Sequence, residues 1–121
     1  MNIEDLRDYC LLKPGVTEDM PFGENTLVFR VGGKIFLLTD INTYASVNLK
    51  CDPERSTQLR DEFDYVLPGF HMNKKHWNTV LIGTGVTARQ LKSWVDHSYD
   101  LVLASLPKAQ RAALAGSWNE E

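Results

Sequence analysis

From Thr26 to Val31 apolar and polar positions alternate, with Leu27, Phe29 and Val31 on one side and Thr26, Val28 and Arg30 on the other. That is the period of a half-buried strand. Gly32-Gly33 can take the positive φ angles of a two-residue hairpin turn, and Lys34 to Thr39 returns apolar on both faces, as a central strand should. "YASVNLK" alternates again, Ala45, Val47 and Leu49 against Ser46, Asn48 and Lys50. "YVLPGFHM" and "HWNTVLI" predict two more strands around a turn at Asn73-Lys74. There Trp77, Thr79 and Leu81 share one face, and His76, Asn78, Val80 and Ile82 the other.

Helical spacing appears elsewhere. Ile3, Leu6 and Cys10 follow Asn2 as N-cap, with Glu4 and Asp5 in the first turn and Lys13-Pro14-Gly15 as the stop. Asp52-Pro53 starts a short second helix anchored by Leu59 and Phe63. Thr87-Ala88-Arg89-Gln90 is a capping box, and Leu91, Trp94, Val95, Ser98 and Val102 form a stripe behind it. Pro107 predicts a short extra helix through Leu114, "PGVTEDMPFGEN" reads as a loop, and "GSWNEE" as a frayed tail. The resulting order is α-β3-α-β2-α. It predicts a two-layer α+β domain, a five-stranded antiparallel sheet with helices on one face. The expected domain spans residues 1–118, with 119–121 as tail.

Composition adds little to this picture: 43% hydrophobic and 24% charged residues are ordinary for a globular domain. No apolar run approaches the ~20 residues of a membrane helix, and the first residues lack the regions of a secretory signal. The expectation is a cytoplasmic chain with no membrane partner. Cys10 and Cys51, without C-x-x-C spacing, read as small packing residues.

Charge is more informative by position than by sum. The net charge of −3 argues against a surface that binds nucleic acid all over. Yet Tyr65 to Val95 carries no acidic residue while holding Lys74, Lys75, Arg89 and Lys92. Asp52 to Asp64 is the reverse, five acids against Arg55 and Arg60.

Several chemistries can be weighed on spacing. If Asn73-Lys74 is a two-residue turn, His71 faces His76 across the hairpin. Two imidazoles are an incomplete zinc site, and the neighbouring lysines repel a cation. Asp96-His97-Ser98 sits on a helix, where successive side chains diverge by about 100° and cannot align as a triad. Gly83-Thr84-Gly85 before a helix is a simple strand-to-helix turn rather than an anion site. There remains a basic hairpin: Lys74, Lys75, His76 and Trp77 could lie beside a phosphate backbone, with Arg30 and Lys34 as a second wing and Lys50 on the open face. The plainer alternative is that these lysines confer solubility and protect a sheet edge.

The stretches "PFG" (21–23), "GGKIFLL" (32–38), "NLKCDP" (48–53), "PGFHMNKKHWNTV" (68–80) and "SYDLV" (98–102) resemble the MmcQ/YjbR-like family of small bacterial proteins, often labelled double-wing DNA-binding. The resemblance covers most of the chain in the family's order. It implies a fold like type III secretion chaperones and, more loosely, frataxin, with the order already reached above. It carries over no catalytic residues and no cofactor. The functional expectation is a non-enzymatic binding protein, a monomer or weak dimer. It would take DNA through two basic wings built on Arg30, Lys34, Lys50, Lys74, Lys75, His76 and Trp77, or instead a protein or peptide partner in the manner of a chaperone. A small ligand on the open sheet face is a third expectation.

Overall fold

The computed structural model describes residues 1–119. The Asn2 carboxamide caps α1 (Ile3–Leu11) by accepting the Asp5 N–H at 2.7 Å, and Leu6 and Cys10 turn inward as the spacing predicts. The segment after it departs from the expectation of a loop. Val16–Asp19 forms strand β1, antiparallel to β2 (Thr26–Val31), with Val16 opposite Val31 and Asp19 opposite Val28. β2 turns through Gly32 and Gly33, at φ 58° and 80°, into β3 (Lys34–Asp40), and β4 (Ser46–Lys50) lies against β3. The helix α2 (Pro53–Glu62), capped by Asp52, leads to β5 (Val66–Pro68) and β6 (Trp77–Leu81). The Thr87 capping box is complete at the start of α3 (Ala88–Ser105), and α4 (Lys108–Asn119) follows.

The sheet therefore has six strands, not five, in the order β1-β2-β3-β4-β6-β5, every pair antiparallel. β1 escapes a periodicity reading because Val-Thr-Glu-Asp has no apolar alternation. It is an edge strand whose outward groups are solvated, and Arg7 and Arg30 bind its Glu18 and Asp19. At the other end of the chain, α4 runs to Asn119, so residues 116–119 of the expected tail are helical, while Glu120 and Glu121 lie outside the described residues.

The core lies between one face of the sheet and the helices. Leu27, Phe29, Leu37, Val47, Leu49, Val66 and Val80 meet Leu6 and Cys10 of α1 and the Leu91–Trp94–Val95–Tyr99–Val102 stripe of α3. A bulge between the Phe29 and Arg30 pairings puts Phe36 inward as well as Leu37. Phe36 meets Tyr99 edge-on, ring centroids 5.5 Å apart. Ser98 is the one buried polar member of the α3 stripe. Its hydroxyl donates to the Phe36 carbonyl at 2.5 Å and accepts the Lys50 N–H at 2.9 Å, tying the helix to β3 and β4. The opposite face of β2, β3, β4 and β6 carries Thr26, Val28, Arg30, Leu38, Asn48, Lys50, Trp77 and Thr79. On that open face the molecule is most distinctive.

Candidate functional site

The residues between β5 and β6 are the least like their expected form. Pairing stops at Pro68–Asn78, with Gly69 N–H bonded to the Trp77 carbonyl at 2.9 Å. Residues 70–76 then make a wide loop, not a two-residue turn, so Met72 does not pair with Lys75 nor His71 with His76. The physical reasons are local. His71 takes a left-handed conformation, φ 59°, which turns the chain back on itself. Asn73 then starts a helical turn: its carboxamide accepts the Lys75 N–H, and its carbonyl accepts the N–H groups of His76 and Trp77. Gly69 is obligatory at the base, because a Cβ there would stand 2.7 Å from the Cβ of Trp77.

Two braces hold this loop. Arg60, on α2, reaches under it and donates to the carbonyls of Lys74 and Trp77 and to Asn78 Oδ1, the last at 2.8 Å. Ser56 donates to the same Asn78 oxygen at 2.6 Å, so the buried Asn78 of β6 is satisfied from α2. On the open face, the Thr79 hydroxyl accepts the Phe70 N–H at 2.8 Å and donates to Asn48 Oδ1 at 2.6 Å. The loop thus folds back over the sheet rather than projecting from it.

Folding back creates a groove. Phe70, His71 and Met72 form one wall, Phe22 of the β1–β2 loop another, and Thr26, Leu38, Asp40, Ser46 and Asn48 line the floor, enclosing about 490 Å³. That volume is in the range of small-molecule sites. Phe22 and Phe70 are 64% and 45% exposed, so large apolar rings stand in water with nothing covering them among the described residues. Asp40 keeps its charge: the Thr43 and Asn42 backbone N–H groups hold its carboxyl below the usual carboxylate range. By contrast, a void beneath Leu49, Val66, Val80 and Trp94 measures about 10 Å³, room for one water at most.

The seven expected binding residues divide between two places. Lys50 pairs in register with Trp77 on the open face, next to Lys74, Lys75 and His76 of the loop, so five of them gather at one end of β4 and β6. Lys74 and Lys75 are exposed, although the Lys74 ammonium also reaches the Gly69 carbonyl at 3.3 Å. Arg30 and Lys34 are elsewhere and differently engaged. Arg30 is ion-paired to Asp19 at 3.0 Å and bonded to the Gly33 carbonyl. Lys34, opposite Val31, is on the helix side, where its ammonium lies 3.4 Å from the Ser105 hydroxyl. The turn between them is packed under α4: Gln110 donates to the Gly32 carbonyl, and a Cβ on Gly32 would strike Leu106.

The residues weighed for other chemistry are occupied in structural roles. Asp96 accepts from Tyr9 and Lys13, His97 accepts the Asp52 N–H at 3.1 Å, and Ser98 serves the core as described, so the three point to three different partners. Burial pushes the Cys10 thiol up to about 12 and the Cys51 thiol up to about 11. Among the described residues no three His, Cys, Asp or Glu side chains cluster as metal ligands, and no helix is long and apolar enough to cross a membrane. Phe22, Asn48 and Met72, which line the groove, and Thr79, which braces it, were not singled out by sequence patterning. Phe22 and Met72 lie in irregular segments, and Asn48 and Thr79 looked like ordinary outward positions of strands. The exposed aromatic in "PFG" was the one signal available.

Sequence comparison agrees with this architecture. A family model described as YjbR matches residues 11–101. The chain is 36% identical over 106 residues to the uncharacterized protein YbdF of Escherichia coli O157:H7, covering 87% of each chain. It is 30% identical over 115 residues to the uncharacterized protein YjbR of Escherichia coli K12, covering 94% of this chain and 98% of that one. Among solved structures, a Deinococcus radiodurans protein with a DUF419 domain superposes with TM-score 0.89 at 39% identity, over 94% of this chain and 88% of the other. A Pseudomonas syringae protein does so with TM-score 0.71 at 29% identity, over 84% and 99%. A match across most of the chain, in sequence and in fold alike, makes this protein a member of the YjbR family.

Proposed function

We propose that the protein is a binding module without catalytic chemistry of its own, and that its ligand is nucleic acid, held at the Lys50–Trp77 end of the sheet. The observation that carries this reading is the register placing Lys50 opposite Trp77, beside the exposed Lys74 and Lys75. The surrounding stretch from Tyr65 to Val95 holds no acid to oppose a phosphate. With Arg30 ion-paired and Lys34 on the helix side, the basic wing is the β5–β6 loop rather than a pair of hairpin tips.

Each lysine that neutralises a phosphate releases condensed counterions, so affinity falls with salt. Replacing Lys74 and Lys75 together by Ala is expected to lower the slope of log K against log salt by about two, measured by anisotropy of a labelled oligonucleotide. Undetectable binding at low ionic strength, or binding indifferent to salt, would remove the reading.

A second reading has its own observation. The apolar rings of Phe22 and Phe70 and the side chain of Met72, above Leu38, are suited to an apolar peptide as in a chaperone. β3 and β4 are central strands with their backbone groups paired on both sides, so such a peptide could not extend the sheet and would be held by side chains alone. This makes it the weaker of the two.

A further inference from the structure

The groove and the basic loop are adjacent, and the nucleic-acid reading does not by itself explain the groove. Its walls come from two loops on either side of the β3–β4 floor, each presenting an exposed phenyl ring. Its floor is polar where a flat ring's edge would meet it. The Asn48 carboxamide oxygen is taken by Thr79, but its amide nitrogen has no partner among the described residues. One oxygen of Asp40 accepts the two turn N–H groups of Asn42 and Thr43, leaving the other for an incoming donor.

We infer that this groove takes an unstacked base of single-stranded nucleic acid between Phe22 and Phe70, while the adjoining phosphates pass Lys50, Lys74 and Lys75. The inference rests on the nucleic-acid reading and makes it more specific: the substrate is a single strand, whose bases are free to leave a stack, and not a duplex, whose bases are paired inside. Three features support it.

First, base–aromatic stacking explains why large rings stand exposed beside lysines, the combination that single-strand binders use. Second, the charge is ordered along the face. Asp40 and Ser46 lie at one end of the groove, and Lys50 is four residues further along β4, about 13 Å away. An anionic floor repels phosphate but accepts the exocyclic amine of a cytosine or adenine, so the base enters and the backbone stays at the lysine end. Third, Trp77 shares a face with Thr79 and Lys50 with Asn48, one pleat beyond the groove, about 7 Å. A second base can therefore stack on Trp77 while the first occupies the groove.

The test compares a short labelled oligo(dC) strand with a duplex of equal length at low salt, for the native chain, for F22A/F70A and for K74A/K75A. Both phenyl rings are exposed, so the first pair should leave the thermal transition unchanged, which is measured alongside. The expected result is a single strand bound more tightly than the duplex. F22A/F70A should weaken the single strand by roughly five- to a hundredfold, the range spanned by loss of one stacked base, and leave the duplex unaffected. K74A/K75A should weaken both and flatten their salt dependence. Equal affinity for strand and duplex, or no effect of F22A/F70A on the strand, would overturn the inference while leaving the nucleic-acid reading standing. No binding to either at low salt would overturn both, and saturable binding of a labelled apolar decapeptide instead would identify the peptide as the occupant.

Discussion

His97 illustrates how one side chain ties chemistry to conformation. Its Nε2 accepts the N–H of Asp52, the residue that caps α2, and it can do so only while neutral. Burial first, and the Arg55 guanidinium second, hold its pKa below the ordinary 6.5, against the opposing carboxylates of Asp52 and Asp100. The unfolded chain therefore takes up a proton near pH 6.5 while the folded chain resists it. The neutral state's contribution is complete above that pH and is lost as the pH falls from there through the lower folded value. His97→Gln supplies a carbonyl oxygen that accepts at every pH. Urea titrations at pH 7.5 and 5.5 should therefore show a smaller acid-side loss of stability for the variant; equal losses would refute the assignment. The letters Asp-His-Ser around it were legible as a non-triad from helical geometry alone. That His97 closes onto a helix cap 45 residues away was not, because no local pattern encodes that distance.

At the scale of elements, the β5–β6 loop depends on a residue that precedes it by ten positions. Arg60 satisfies two carbonyls and the Asn78 oxygen with one planar, forked group. Arg60→Ala leaves those acceptors without their charged donor and should lower stability by about 1.5–3 kcal/mol. Hydrogen exchange at the Gly69 and Trp77 amides should accelerate at the same time. Lys in its place cannot span three acceptors and should recover only part of the loss; full recovery would mean that charge alone holds the loop. The sequence reading placed a turn here correctly but drew it as a two-residue hairpin. Spacing between two apolar runs does not specify where pairing ends, and what ends it is a left-handed His71, the Asn73 turn and a brace from another helix. The first hairpin was read accurately because two glycines determine its turn locally.

Across the whole molecule one core joins α1, β2–β6 and α3. Phe36 sits near its middle, fully buried between Phe29 and Tyr99. Phe36→Ala should cost about 3–5 kcal/mol, and the loss should shift circular dichroism and tryptophan fluorescence transitions together. Separated transitions would show that the sheet and the helical layer unfold independently. At −3 the molecule as a whole repels polyanions; under the proposed nucleic-acid reading, binding would therefore come from the lysine end of the open face and be strongly salt-dependent.

What the sequence determined by itself depends on near neighbours. Period-two runs specified β2 and β4 and their inward faces, an apolar run specified β3 without choosing its face, and capping residues specified where α1, α2 and α3 begin. The α+β class followed from their order, and the family resemblance from stretches such as "PGFHMNKKHWNTV". Tertiary structure alone decided the sixth strand, since Val16–Asp19 is a strand only because β2 offers it a ladder. It also separated residues that sequence had grouped: Arg30 and Lys34 flank one turn but lie on opposite faces, whereas Lys50 and Lys74 are brought to one end. The groove is the clearest case. Its walls come from loops nearly fifty residues apart, and no periodicity records that two irregular segments will fold over the same patch of sheet.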